Sequence, residues 1–156
     1  MTSALTRGTD VSIRRATARD AKRLTRIVRT SRAYEAPYES MIAGYRVGPD
    51  YIEAHEVHVA VAPAEDTVLG FYALLLDPPE LDLLFVADSA QGLGIGRRLV
   101  AHLRDVAGAA GLASVRVVSH PPAEGFYRGV GALPVGTVPA NPPAVRWDRP
   151  ELILPV

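Results

Sequence analysis

The chain has 156 residues, with 17 basic and 17 acidic side chains, 48% apolar residues and no cysteine. A chain of this length can bury a substantial core, so we expect one domain over residues 1–156. The balanced charge argues against a general nucleic-acid-binding protein. A chain without cysteine has no disulfide framework, no thiolate metal site and no thiol nucleophile.

No segment of the sequence predicts passage into or through a membrane. The start of the chain lacks the apolar stretch of a signal peptide, and we expect residues 1–10 to form a flexible extension. The longest apolar run, Phe71-Tyr-Ala-Leu-Leu-Leu76, has six residues and is far shorter than a bilayer span. We therefore expect a soluble, cytoplasmic protein.

In chain order, the residue pattern first predicts a strand and then an amphipathic helix. Residues 11–17 alternate between apolar and polar side chains, as a half-buried strand does. Thr17-x-x-Asp20 resembles a capping box at the start of a helix. Behind this box, apolar side chains repeat on one helical face while the arginines point away. That apolar face consists of Ala21, Leu24, Ile27 and Val28.

The rest of the chain mixes predicted hairpins with helical crossovers. This order, β-α-α-β-β-β-α-β-α-β-β, implies a mixed sheet with helices packed on it, an α/β class of fold. The predicted elements are one or two short helices within 34–53, strands at 56–62, 67–76 and 80–86, a helix at 94–110, a strand at 115–119, a short helix from Pro122, and strands at 132–138 and 151–155.

The most informative segment is the glycine-rich turn between the 80–86 strand and the 94–110 helix. Free amides and the positive end of the helix dipole make such a helix start an anion site, and glycines let the anion approach. A dinucleotide fingerprint fails here because Arg97 and Leu99 stand where glycine is required, and the only lysine, Lys22, excludes a Walker A loop. The remaining pattern is Gln91-x-x-Gly94-x-Gly96.

This pattern resembles the hallmark of the GNAT superfamily of N-acyltransferases, Arg/Gln-x-x-Gly-x-Gly/Ala after the fourth strand. A second segment, Glu124-Gly-Phe-Tyr127-Arg-Gly-Val-Gly-Ala132, is similar to the family's Ala-x-x-Phe-Tyr-x-x-x-Gly-Phe/Ala. The resemblance implies a mostly antiparallel sheet splayed between strands 4 and 5, helices on both faces, and acetyl-CoA as co-substrate. It implies coenzyme A contacts at Phe85, Val86, Gln91, Gly92, Leu93, Gly94, Ile95, Gly96 and Arg97.

The resemblance also implies roles for two catalytic candidates. Glu80 begins the strand that leads to the turn, where some members carry a catalytic glutamate, and Tyr127 matches the tyrosine thought to protonate the leaving thiolate. By period-two alternation, Glu80, Asp82, Leu84 and Val86 share one strand face, so Asp82 is a rival base, and a water chain is a third route. Each candidate also has a purely structural interpretation, as a solvated carboxylate or a core tyrosine.

The resemblance implies an acceptor site against the segment between the first two helices and the far strands. Tyr34 and Tyr38 lie there close to two carboxylates, a combination that suits a cationic amine, although both rings could simply cover the sheet. We assign Tyr34, Tyr38 and Asp82 to acceptor binding, with a small-molecule or peptide amine as acceptor. One departure from the family pattern is Pro122-Ala123 in place of Asn-Ala, so a side-chain hydrogen bond to the cofactor arm is either missing or replaced by one from Ser119 or His120.

Two further hypotheses and one open question accompany the acetyltransferase interpretation. The domain could use a longer acyl-CoA, or it could bind acyl-CoA as a sensor without turnover. No metal site is expected, because His55 and His58 lie three apart on a predicted strand and face opposite sides. The resemblance leaves a homodimer open, with the proline-rich segment 139–150 as one candidate contact.

Overall fold

The computed structural model describes residues 11–62 and 66–156, so the expected N-terminal extension lies outside the described residues. The element order matches the predicted one. The strands are β1 (Ser12–Arg15), β2 (Glu56–Ala62), β3 (Thr67–Leu76), β4 (Pro79–Val86), β5 (Ser114–Val118), β6 (Leu133–Val138) and β7 (Arg149–Pro155). The helices are α1 (Ala21–Arg29), α2 (Pro49–Ala54), α3 (Ile95–Ala109) and α4 (Glu124–Gly129), with short 3₁₀ turns between them.

Within the described residues, the strands form one seven-stranded sheet in the order β1-β2-β3-β4-β5-β7-β6. Neighbouring strands are antiparallel except β4 and β5, which are parallel. One core lies under α3 and α4 and contains Leu99, Leu103 and Tyr127. The other lies under α1 and α2 and contains Leu24 and Ile52. The predicted mixed sheet with helices on both faces is therefore confirmed. None of the described helices is long and apolar enough to cross a bilayer.

The start of α1 follows the predicted capping box. The Asp20 side chain accepts a hydrogen bond from the Thr17 amide, and the reciprocal bond from the box is also present. Asp20 is almost fully buried, and Arg14 and Arg23 compensate its charge at 3.0 and 2.9 Å. The predicted apolar face of α1 is the face that packs on the sheet, because those side chains recur at helical spacing.

The sheet is split between its two parallel strands. β4 and β5 pair only at Glu80 with Arg116 and at Leu81 with Val117. β4 then continues to Val86 without β5 beside it. Beyond Leu81, β4 therefore has no strand partner on the side of β5 among the described residues. The candidate functional site lies at this opening between β4 and β5.

A β-bulge at Asp82 changes which β4 side chains share a face. Leu74 of β3 pairs with Leu81, and Ala73 pairs with Leu83, so Asp82 is an extra residue without a cross-strand partner. A bulge of this kind shifts the alternation by one position.

The expected common face of Glu80, Asp82, Leu84 and Val86 is therefore wrong. Leu84 and Val86 pack against the core under α3, whereas the Asp82 side chain accepts a hydrogen bond from Tyr51 of α2 on the opposite side. Glu80 also lies on the α1 and α2 side, because its partner Arg116 alternates with valines of the α3-side core. The two carboxylates are thus separated from the strand residues that lead into the turn.

Candidate functional site

The first of two neighbouring cavities lies where β4 ends and has a volume of about 450 Å³. The end of β4, the turn after it and the first residues of α3 form one wall. Phe126 and Tyr127 of α4 form another, together with His120 and Pro122. The cavity therefore joins the glycine-rich turn to the second segment on which the family resemblance rests.

The turn leaves the first amides of α3 open to a ligand. Gly94 is the N-terminal cap of this helix, and no side chain caps the amides that follow it. Gly92 and Gly94 have left-handed backbones, with φ of 81° and 76°, which other residues rarely adopt. A Cβ built on either glycine would meet no atom within 4 Å, so the left-handed backbone rather than crowding favours glycine at both positions. In proteins, open amides at the positive end of a helix favour the binding of an anion, and α3 has 15 residues.

Gly96 is required for a different reason, namely the close approach of α4. A Cβ at this position would lie 3.1 Å from two ring carbons of Phe126. The small residue at this place in the turn motif thus lets the Phe126 ring pack on the start of α3, which places the neighbouring Tyr127 in the core below. The two motifs that are far apart in sequence form one packing unit.

Of the residues expected to bind coenzyme A, all except Leu93 line this cavity. Leu93 instead packs against the core under α3. The Gln91 side chain donates a hydrogen bond of 3.0 Å to the carbonyl of Val86, which fixes the turn to the end of β4. Arg97 lines the cavity and donates to the Gly129 carbonyl, whereas Arg98 donates to the Val11 carbonyl. Arg97 is therefore the better placed of the two arginines for a phosphate.

The second cavity lies beside the first on the α1 side of β4 and has a volume of about 270 Å³. Its walls come from β4, the end of β5, the start of β7 and the segment after α1. The two cavities share Tyr34, Leu84, Phe85, His120 and Tyr127 as lining residues. A group held in one cavity can therefore face a group held in the other across this shared wall.

Tyr127 lies at the junction of the two cavities and is 9% exposed. Burial raises the pKa of its hydroxyl well above the ordinary value, and nearby Tyr34 raises it further. The hydroxyl is therefore protonated at neutral pH. It can donate a hydrogen bond to a partner that gains negative charge.

Burial likewise raises the pKa of Tyr34, to about 12. The Tyr34 ring stacks on His120 with centroids 3.9 Å apart and on Phe85 with centroids 5.4 Å apart. Tyr38 contacts the edges of His120 and Trp147 but is not among the residues that line the two cavities. Of the two tyrosines assigned to the acceptor site, the structure therefore brings Tyr34 into it and leaves Tyr38 behind its wall.

His120 is the histidine that lines both cavities. It is 7% exposed, lines both cavities and donates from Nε2 to the Ala33 carbonyl at 3.1 Å. Burial lowers the pKa of the ring, which keeps it neutral, and the bond to Ala33 leaves the lone pair on Nδ1. A histidine at the end of a strand next to the split was the available sequence signal, but its partners come from a distant segment.

The two candidate bases both line the second cavity, and each has a partner. Glu80 forms an ion pair of 3.5 Å with Arg116, which also binds Glu151 at 2.6 Å. Asp82 accepts the Tyr51 hydroxyl, whose pKa is raised by burial and by this carboxylate. Because Arg116 is shared with a second carboxylate at shorter distance, Glu80 is the less tightly held of the two.

The segment that departs from the family pattern supplies few polar groups to the first cavity. Pro122 lines the first cavity, and Ser119 is buried with its hydroxyl donating to the His120 carbonyl at 2.7 Å. Of the two residues considered as replacements for the usual asparagine, His120 is the one that faces both cavities.

In residues 11–62 and 66–156, no group of three or more metal-ligating side chains could hold a metal ion. His55 ends α2 rather than lying on a strand, which corrects the expected position. His58 contacts Glu56 and lies 4.8 Å from the ring of His102, whose Nδ1 is 2.8 Å from the Tyr72 hydroxyl. His58, Tyr72 and His102 thus form a polar cluster between the sheet and α3, in which His58 and Tyr72 are buried.

A sheet split at its parallel strands, with a glycine-rich strand-to-helix turn at the opening, defines a GNAT-type α/β fold. A family model described as an acetyltransferase (GNAT) domain matches residues 19–136, and the chain belongs to this family. The fold is similar to a GCN5-related N-acetyltransferase from Rhodopseudomonas palustris, at 19% identity and a TM-score of 0.77 over 95% of this chain and 97% of that chain.

Two further solved structures are similar to this chain. One is the ribosomal-protein-S18-alanine N-acetyltransferase from Escherichia coli, at 18% identity and a TM-score of 0.69 over 94% of each chain. The other is a GNAT family acetyltransferase from Elizabethkingia anophelis solved with acetyl-CoA bound, at 17% identity and a TM-score of 0.64 over 95% of this chain and 99% of that chain. No curated protein matches the sequence.

Proposed function

We propose that the protein transfers the acetyl group of acetyl-CoA to a primary amine of a small molecule or peptide. The single observation that carries this proposal is the pair of cavities that meet at Tyr127 and His120. One has the anion-binding turn, and the other has carboxylates suited to a cationic amine. With no cysteine in the chain, direct attack of the amine on the thioester is the simplest route.

The residues of the first cavity fit coenzyme A. The open amides of α3 after Gly94 would hold the pyrophosphate, with Arg97 nearby. The backbone of Phe85 and Val86, which β5 leaves free, would pair with the pantetheine arm as an added strand does. Bound acetyl-CoA would supply the activated thioester.

Two side chains would move or hold protons during transfer. Glu80 would accept a proton from the amine as the nitrogen–carbon bond forms, directly or through water. The Tyr127 hydroxyl would donate a hydrogen bond to the sulfur as the carbon–sulfur bond breaks. Because the pKa of Tyr127 is raised, this hydroxyl stabilises the thiolate mainly by hydrogen bonding, and solvent completes the protonation.

Thermal unfolding with acetyl-CoA tests the donor. At about a hundredfold excess over the Kd, ligand binding stabilises the folded state by about 2.7 kcal/mol, a shift in Tm of several degrees. We expect this shift to persist in about 0.5 M NaCl, where loose charge attraction is screened. No shift in Tm would contradict acetyl-CoA as donor, and a shift only with longer acyl-CoA would assign a different donor.

Release of free coenzyme A thiol with a panel of amines then tests transfer. We expect acceptor-dependent release above the slow hydrolysis of the thioester. Binding of acetyl-CoA without release, across small amines and peptides, would instead identify an acyl-CoA sensor.

Replacing Glu80 tests the assignment of the base. We expect Glu80→Gln to lower kcat about a hundredfold, because the amide cannot accept the proton, while acetyl-CoA affinity is retained. Glu56→Gln is the matched control, since Glu56 is a paired glutamate on β2 that does not line either cavity. It pairs with Arg15 of β1 and His58 of β2. Rates of Glu80→Gln equal to the parent across the pH range would remove Glu80 and direct attention to Asp82 or a water chain.

A further inference from the structure

We infer that the amine acceptor also carries a carboxylate, as a free amino acid does, and that Arg149 binds this group. This inference rests on the proposed acetyl transfer and names the substrate class of the same site. The volume of the second cavity, about 270 Å³, lies near the lower end of small-molecule pockets and suits a compact acceptor.

Arg149 is directed into the second cavity by the register of its strand. Leu152 and Leu154 of β7 pack in the core under α3, so Arg149 and Glu151 face the α1 side of the sheet. Arg149 lies next to the split, because the following residue, Pro150, accepts a hydrogen bond from the Ser119 amide at the end of β5. Arg149 is partly buried and lines the cavity.

No described residue compensates the charge of the Arg149 guanidinium. Its Nε is buried and has no hydrogen-bond partner among the described residues. No ion pair to Arg149 occurs in that part of the chain either. A buried charged donor without a partner is costly, and structures normally satisfy such groups. Because Arg149 lines the cavity, an anion held there would compensate this charge through the terminal nitrogens of the guanidinium, while Nε itself stays buried.

Arg116, the neighbouring arginine on the same face of the sheet, is paired with carboxylates, in contrast to Arg149. Arg116 binds Glu151 at 2.6 Å and Glu80 at 3.5 Å. These carboxylates are therefore already engaged with Arg116, and Asp82 accepts the Tyr51 hydroxyl. Among the residues that the structure describes, Arg149 therefore forms no ion pair, although three carboxylates lie on the same side of the sheet.

The charges that line the cavity therefore have two signs. Glu80 and Asp82 lie on the β4 wall, and Arg149 lies on the β7 wall. A substrate that carries both an ammonium and a carboxylate would complement both walls, whereas a simple amine would leave Arg149 unpaired. The planar guanidinium matches a carboxylate with two parallel hydrogen bonds.

Pairs of acceptors that differ only in the carboxylate test the inference. The probes are phenylalanine with phenethylamine and lysine with cadaverine, and the measured quantity is the ratio of kcat/KM within each pair. We expect the amino acid to be preferred by a factor of at least about 10, since a charged hydrogen-bonded pair contributes selectivity of this order. An equal or reversed preference in the parent protein would overturn the inference.

Arg149→Met should reduce this preference by raising KM for the amino acid at least about tenfold. Arg146→Met is the matched control, because Arg146 is an exposed arginine in the segment just before β7. An unchanged ratio in Arg149→Met would also overturn the inference. The aminophosphonate analogue of phenylalanine is a further arm, and a preference for it over phenylalanine would assign a phosphonate-type anion instead.

Titration of phenylalanine into the protein with bound coenzyme A separates the two proposals. If no amine is acetylated, the proposed function fails, but saturable binding that is lost in Arg149→Met would still support the anion site. If amines are acetylated and the carboxylate affects neither KM nor binding, the transferase assignment stands and the inference about Arg149 fails.

Discussion

Gly94→Glu is expected to abolish the stabilisation of the protein by acetyl-CoA and to weaken binding about a hundredfold or more. Position 94 has a left-handed backbone, with φ of 76°, and stands directly before the open amides of α3. A glutamate there places a carboxylate where the pyrophosphate would lie, and juxtaposed like charges cost several kcal/mol, with each 1.4 kcal/mol equal to about a factor of ten. Calorimetric titration with acetyl-CoA measures the loss.

Gly111→Glu is the control for the strain and charge of this substitution. Gly111 follows α3 at its other end, has φ of 83°, and a Cβ there would meet no atom within 4 Å. We expect both variants to lose about 1–2 kcal/mol of folding stability because of the left-handed backbone. Only Gly94→Glu should lose the response to acetyl-CoA. If it responds like the parent, the phosphates bind elsewhere.

Tyr127→Phe is expected to lower kcat about a hundredfold with little change in acetyl-CoA affinity. The hydroxyl would be lost from the junction of the two cavities, while the ring would still fill the core. The fall follows from the loss of a donor that stabilises charge only as the thiolate forms. Steady-state kinetics, with the Kd of acetyl-CoA measured separately, distinguish the two effects.

An acetyl thioester whose leaving thiol is more acidic than that of coenzyme A provides a second test of the Tyr127 hydroxyl. Such a thiol needs less stabilisation, so the deficit of Tyr127→Phe should shrink with it. Tyr72→Phe is the matched control, because Tyr72 is another buried tyrosine whose hydroxyl contacts His102 on α3. Parent-like kcat in Tyr127→Phe would assign Tyr127 to core packing alone.

Local patterns were sufficient to predict much of the fold. The capping box at Thr17 and Asp20, the apolar face of α1 and the strand-to-helix turn at Gln91-x-x-Gly94-x-Gly96 all depend on residues within a few positions of each other. Short-range hydrogen bonding and helical periodicity determine such features, and for that reason a single sequence contains them.

The β4 strand shows where local reasoning fails. Simple alternation assigns Glu80 and Val86 to one face, but the bulge at Asp82 separates them. A bulge depends on which residues of β3 lie opposite β4, and this pairing is not visible in the residues of β4 alone. The position of both candidate bases relative to the turn is therefore a tertiary result.

The sequence by itself determined the family and the glycine-rich turn at the start of α3, because the turn pattern depends on residues within a few positions of each other. Only the tertiary structure decided what faces that turn. His120 reaches the shared wall through Tyr34 and Ala33, which lie more than 80 positions earlier in the chain. Arg149 enters the second cavity through the register of β7 beside the split. The physical reason is that burial, pairing and charge compensation are set by partners distant in sequence, and these become neighbours only when the sheet forms.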